Sequence, residues 1–401
     1  MLKTISLQTD GANKKAAKKI NFLVGIANYL VNHQIGLPIR VLAFLTLLYF
    51  IFPGAEKFFF LQHKDPETGL YKKGKDDVYF VFTWIAIFTF LRAVIMEYMF
   101  IPMIKFGGIK KGSQQTRFAE QGWSFLYYSI FWTLGMYIMS KSPYWFDTTY
   151  FWKGYPHVEM PGLLKWYYLV QLAFWFQQVF VINIEKRRKD YIEMLAHHAI
   201  TILLICCSYS MNWTRIGNAV LCVMDFADIL LPFAKMLKYF GCDALCDILF
   251  GFFMISWVVT RHFFFGYIIY STMFESTQFV ELKWAPEEEY FYSRNVQILF
   301  VTLFLLLQAL IYFWFYLICR VAYRVIMGDN AHDNRSESEH EEAEANIDFN
   351  QAYNSTSEDN LNTDNEDDNS ESSASQNEVD KDNKLKKKLR KRGHRFNNNR
   401  K

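Results

Sequence analysis

The chain of 401 residues is 52% hydrophobic and 18% aromatic, with 39 Phe, 24 Tyr and 11 Trp and a formal net charge of +3. The average hides a split: residues 329–401 hold 18 acidic and 12 basic side chains, a net −6, and residues 1–328 carry +9. A single soluble domain is excluded, because repeated apolar runs of about 20 residues serve to cross a bilayer.

Residues 1–37 form a basic arm with Lys14, Lys15, Lys18 and Lys19 and no apolar stretch leading to a cleavage site, so insertion is expected to rely on the first internal span. Apolar runs predict about eight transmembrane helices, at 38–54, 78–104, 122–140, 163–183, 193–211, 216–237, 244–270 and 295–318. Helices are required, since open strands would leave backbone groups unpaired in lipid. The expected architecture is an all-α polytopic membrane protein: two N-terminal helices within 38–114, a helical domain over 115–325, and a disordered tail from 326.

Basic residues alternate with the connections. Lys105, Lys110, Lys111 and Arg117 occupy the second, and Lys186, Arg187, Arg188 and Lys189 the fourth, whereas the connections near 65–77 and 287–289 are acidic or mixed. Positive charge stays cytosolic, which places both termini in the cytosol and the odd-numbered connections in the lumen. The tail is rich in Asn, Ser, Asp and Glu and cannot bury enough apolar surface to order itself. There Ser336, Ser338, Ser355 and Thr356 each have an acidic residue three positions on, a pattern that acid-directed kinases favour. Its last 18 residues are basic and read equally as a contact for anionic lipid, a retention signal or a solvated run. The sequons at Asn212 and Asn354 fall in a tight turn and in the tail, where no glycan is expected.

Ionisable residues deep in a span are costly and mark a functional site by default. His197 and His198 stand in the fifth span, Asp225 and Asp228 in the sixth. From Arg188 to His197 is roughly 14 Å of helix rise, and from Arg215 to Asp225 roughly 15 Å, so both pairs fall near the midplane. With a turn at 212–214 they lie at equal depth. A carboxylate beside an imidazole can orient it and stabilise its charge as a base, and an imidazole can itself accept an acyl group. A polar network that only locks two helices is the bland alternative. Two histidines with two carboxylates can also ligate a metal, but the other seven histidines are scattered singly and no metal is expected. Arg261 and His262 read as a satisfied interior pair or as residues snorkelling to the interface. The six cysteines (Cys206, Cys207, Cys222, Cys242, Cys246, Cys319) form no spaced zinc pattern and are expected to pack as small apolar groups.

The run Arg187–Arg188–Lys189–Asp190–Tyr191–Ile192–Glu193–Met194, followed by His197, His198, Thr201, Ser208, Asn212, Arg215, Gly217, Asp225, Asp228, Lys235 and Met236, resembles the Lag motif (187–236) of ceramide synthases, the sphingoid-base N-acyltransferases of the TLC-domain superfamily. Phe118 through Trp123 and Pro143–Tyr144–Trp145 resemble the start of that domain in fungal members. Met224 stands where many animal members have His, and the homeobox-like segment of some animal members is absent. The resemblance implies catalytic roles for His197, His198, Asp225 and Asp228 in acyl transfer from acyl-CoA to a sphingoid base, with no other cofactor. Arg187, Arg188 and Lys189, with Asn212 and Arg215, are expected to bind the CoA head or to serve structure. It further implies an endoplasmic-reticulum membrane protein, a dimer with a small accessory membrane subunit, no nucleic-acid partner, and chain-length selection by the connection near 272–293. Competing readings are a non-catalytic TLC-domain lipid sensor or translocation factor, and a transporter with midplane acids.

Overall fold

The computed structural model describes residues 29–30, 33–184 and 190–327. Residues 1–28 of the N-terminal arm with its lysines, Arg187, Arg188, Lys189 and the tail with its serines and basic end lie outside the described residues. Eight helical rods occur among those described: α1 (Gly36–Ile51), α2 (Asp77–Phe106), α3 (Gly112–Ser140), α4 (Gly162–Ile184), α5 (Tyr191–Ser210), a broken rod made of α6 (Thr214–Asp225) and α7 (Ala227–Tyr239), α8 (Asp243–Phe279) and α9 (Arg294–Ile326). Five of them, α2, α4, α5, α8 and α9, are long and apolar enough to cross a bilayer. The chain is therefore a multi-pass helical membrane protein.

Several rods outrun the predicted spans. α3 begins at Gly112 rather than 122, α8 runs to Phe279 and α9 to Ile326. Apolar length reports the hydrocarbon thickness, whereas a helix continues through polar turns while its backbone stays paired. The sixth predicted span is two helices, interrupted at Phe226. Pro232, inside α7, has no N–H to donate and crowds the carbonyl four residues back, that of Asp228.

The all-α expectation needs one correction. Between α8 and α9 lies a two-stranded antiparallel sheet, β1 (Lys283–Ala285) and β2 (Tyr290–Tyr292), paired Lys283 to Tyr292 and Ala285 to Tyr290. Its turn reverses at Glu289, which takes a left-handed φ of 56°. Three-residue strands are too short to leave a periodic signal in sequence. The acidic run at 287–289 is also more than a solvated loop: Glu288 pairs with Lys283 at 2.6 Å and Glu289 with Lys73 at 2.9 Å.

α4 is the central rod, with residues 167–175 buried without interruption, so every face meets protein. α2 and α3 pack on one side of it around Phe88, Trp123, Tyr127 and Phe131. A second core gathers α5, α6, α8 and α9 around Trp213, Phe253, Trp257 and Phe300. At the end carrying the α5–α6 turn, Lys165 forms a fully buried ion pair with Asp77 at 2.7 Å and also donates to the carbonyls of Gln62 and Lys72. Tyr209 and the Gly74 amide donate to the same Asp77 carboxylate, so the charge taken out of water is matched by hydrogen bonds. All six cysteines are free thiols. Only Cys222 is buried, and Cys242 is exposed at the α7–α8 connection, which departs from the expectation of six packed thiols.

Candidate active site

α5 and α6 form an antiparallel hairpin whose turn, residues 211–213, reverses at Asn212 with φ 61°. The hairpin brings His197 and His198, from the middle of α5, alongside Asp225 at the end of α6. The adjacent histidines diverge around the helix and meet different surroundings. His198 is 4% exposed, and its Nδ1–H donates to the Met194 carbonyl at 2.5 Å, which leaves Nε2 as the basic nitrogen of the neutral ring. His197 makes no hydrogen bond among the described residues. Its ring is wedged edge-on between Trp175 and Trp314, each at 5.3 Å, and its buried Nδ1 has no partner. The carboxylate contact foreseen for an imidazole is thus not made by His197.

The two aspartates also separate. Asp225 is 1% exposed and accepts from Gln171 Nε2 at 3.1 Å, and Gln171 is itself held by the Tyr127 hydroxyl on its Oε1 at 2.5 Å. Asp228, beyond the break, accepts from Arg261 Nη2 at 2.6 Å. Arg261 sits in the wall of the cavity, paired with Asp228, rather than snorkelling to the interface. His262, the next residue, meets Gln308 at 3.1 Å through its Nδ1 and stacks on Tyr312, while its buried Nε2 has no partner among the described residues. Gln171 was not foreseen. Its signal in sequence is an uncharged amide among the apolar residues of α4, which also carries Gln177 and Gln178.

His197, Asp225, Asp228 and Arg261 line one cavity. The rest of its wall is mostly apolar and includes Trp175, Trp314, Phe304 and, toward the α5–α6 turn, Phe300 and Trp213. Trp213 stacks on Phe300 with centroids 4.1 Å apart. An apolar cavity with a few convergent polar groups at one level suits a long hydrocarbon ligand with a reactive head. No group of three or more His, Cys, Asp or Glu side chains placed to hold a metal occurs among the described residues.

Asn212 and Arg215 lie elsewhere. Asn212 is fully buried, accepts from Lys73 at 2.8 Å and donates to the Glu289 carbonyl at 2.8 Å. Arg215 donates to the Tyr150 carbonyl at 2.7 Å. Both stand past the far end of the 20-residue α5, roughly 30 Å from its first residue, Tyr191. Through these contacts both residues tie loops together. Arg187, Arg188 and Lys189 lie outside the described residues.

The family model for the TLC domain matches residues 117–320. Over 288 residues the chain is 42% identical to a sphingosine N-acyltransferase of Schizosaccharomyces pombe, spanning 72% of this chain and 74% of that one. The chain belongs to the ceramide synthase branch of the TLC-domain family. It is also 38% identical over 325 residues to a ceramide synthase of Gibberella moniliformis, with 74% of this chain and 76% of that one covered. A ceramide synthase of Saccharomyces cerevisiae is 35% identical over 277 residues, or 68% and 67%. The cavity, with His197, Asp225 and Asp228 in its wall, lies wholly within the residues matched by the TLC domain of this ceramide synthase family member.

Proposed function

We propose that this protein transfers a fatty acyl group from acyl-CoA to the amine of a sphingoid base, giving (dihydro)ceramide. The observation that carries the reading is His197: an imidazole without a hydrogen-bond partner, in an apolar cavity that also holds Asp225, Asp228 and Arg261. The thioester C–S bond breaks, the amide C–N bond forms, the amine loses a proton, and CoA departs as the thiol. His197 is the group that meets the reacting atoms, as proton acceptor for the amine or as transient acyl acceptor. His198, buried and tethered to Met194, holds the neighbouring ring in place. The surrounding tryptophans exclude water, which would otherwise hydrolyse the thioester or an acyl intermediate.

The assay is ceramide formation by the purified full chain, given dihydrosphingosine and acyl-CoAs of increasing length. Replacing His197 by Ala is expected to lower kcat by about 10²–10⁴-fold, the usual worth of a positioned acid–base group. A folded His197→Ala variant with wild-type turnover overturns the assignment.

In the same reading all eight rods cross the membrane, both termini are cytosolic, and the protein resides in the endoplasmic reticulum. Exposed Lys110 and Lys111, at the α2–α3 connection, support a cytosolic site for the CoA phosphates together with Arg187, Arg188 and Lys189. The acyl chain then threads from that face past His197 toward Trp213. A dimer with a small accessory membrane subunit completes the proposed assembly, with membrane lipid as its surroundings and nucleic acid excluded from its partners.

A further inference from the structure

Arg261 sits where α8 widens into a π turn, Val258–Phe264, a local insertion that turns side chains out of the regular helical register. It is 6% exposed. Its guanidinium lies 3.9 Å above the Trp257 ring, and one nitrogen, Nη2, donates both to Asp228 at 2.6 Å and to the Met224 carbonyl at 2.8 Å. Met224 lies in the last turn of α6 and Asp228 in the first turn of α7, so a single side chain grips both sides of the break at Phe226.

Asp225 has no such partner. Among the described residues its hydrogen bond comes from the neutral amide of Gln171, and no cation pairs with it. The cavity wall therefore holds two carboxylates and one permanent cation, and that cation is committed to Asp228. A sphingoid base enters with one positive charge on its amine. We propose that Arg261 is a positioning residue of this site: it neutralises Asp228 and pins the α6–α7 break, leaving Asp225 as the carboxylate that receives the substrate ammonium. This rests on the acyltransferase reading above and divides the labour of two aspartates that sequence treats alike.

An uncompensated charge in a buried site is far more damaging than removal of the whole pair. Steady-state kinetics on the full chain in detergent test this directly. Arg261→Met and Asp228→Asn are each expected to lower kcat about 100-fold or more, with the KM for acyl-CoA unchanged. Arg261→Lys, which keeps the charge but cannot reproduce the two-point grip, recovers part of the loss. The double variant Arg261→Met, Asp228→Asn returns to within about 10-fold of wild type, since no unpaired charge remains. Asp225→Asn stays inactive alone and in the double background.

A folded double variant as inactive as the single ones overturns the proposal, as does wild-type turnover in Asp225→Asn. Where the single variants fail to accumulate, the double variant decides alone by the same criterion. Absence of ceramide from the wild-type chain instead sinks the acyltransferase reading, so the two failures are distinguishable.

Discussion

His157, in the connection between α3 and α4, is buried and donates Nε2–H to the Phe151 carbonyl at 3.2 Å. Burial, with the nearby Arg215 charge, pushes its pKa down from 6.5 to about 4 against the opposing hydrogen bond. The unfolded chain thus binds more protons than the folded one between those values. The neutral ring's contribution is complete above about pH 6.5, is lost as pH falls toward 4, and amounts to about 3 kcal/mol. The unfolding temperature in detergent should therefore drop over that window, and the drop should shrink in His157→Gln. An unchanged slope in the variant would assign the dependence to other groups. At this same scale, His197 and Asp225 were legible in the sequence because an ionisable group in an apolar run is conspicuous by itself. Arg261 was equally visible but its role was not, since the partner 33 residues away in Asp228 is chosen by packing. Gln171 carries no charge and drew no notice.

At the scale of the elements, the hairpin of α5 and α6 packs closely against α4 at Gly217. A Cβ there would lie 1.6 Å from the Tyr168 hydroxyl and 3.1 Å from Ser208 Oγ. Tyr168 is bonded to Ser208, is buried, and stacks on Tyr209, so its ring has nowhere to withdraw. Gly217→Ala is expected to destabilise the fold by about 1–3 kcal/mol or more, as overpacking of a filled interior does. A lowered thermal midpoint checks it, and an unaltered midpoint would show that α4 and α6 can part at no cost. The rods themselves were legible from apolar length, usually to within a few residues. The interruption between Asp225 and Asp228 was not: Pro232 signalled a weakness in the helix, but α8 and Arg261 decide how the two halves sit.

For the whole molecule, the alternating basic connections predict which surface faces the cytosol, and Cys242 offers a test. It is exposed at the α7–α8 connection, on the side assigned to the cytosol. A membrane-impermeant maleimide should label it in sealed vesicles whose cytosolic face is outward, and Cys242→Ser should remove that label. Labelling that appears only after permeabilisation would invert the topology. The opposite end is closed by long-range ties: Lys73 joins Glu289, Asn212 and the Ser210 carbonyl, and Lys165 is buried against Asp77. Neither tie could be read in advance, because Lys73 and Glu289 are over 200 residues apart and each looks like an ordinary loop charge.

By itself the sequence determined that this chain is a helical membrane protein with histidines and aspartates inside its apolar runs, and its Lag-like motif pointed to the family. Those properties follow from local composition: apolar length answers to bilayer thickness, and a buried charge answers to desolvation, whatever its neighbours. Only the tertiary structure decided which histidine opens to the cavity, which aspartate is neutralised, and which loops Asn212 and Arg215 join. Such choices depend on pairing energies between residues distant in the chain. A hydrogen bond or ion pair acts over a few ångströms, so its partners exist only once the helices have packed.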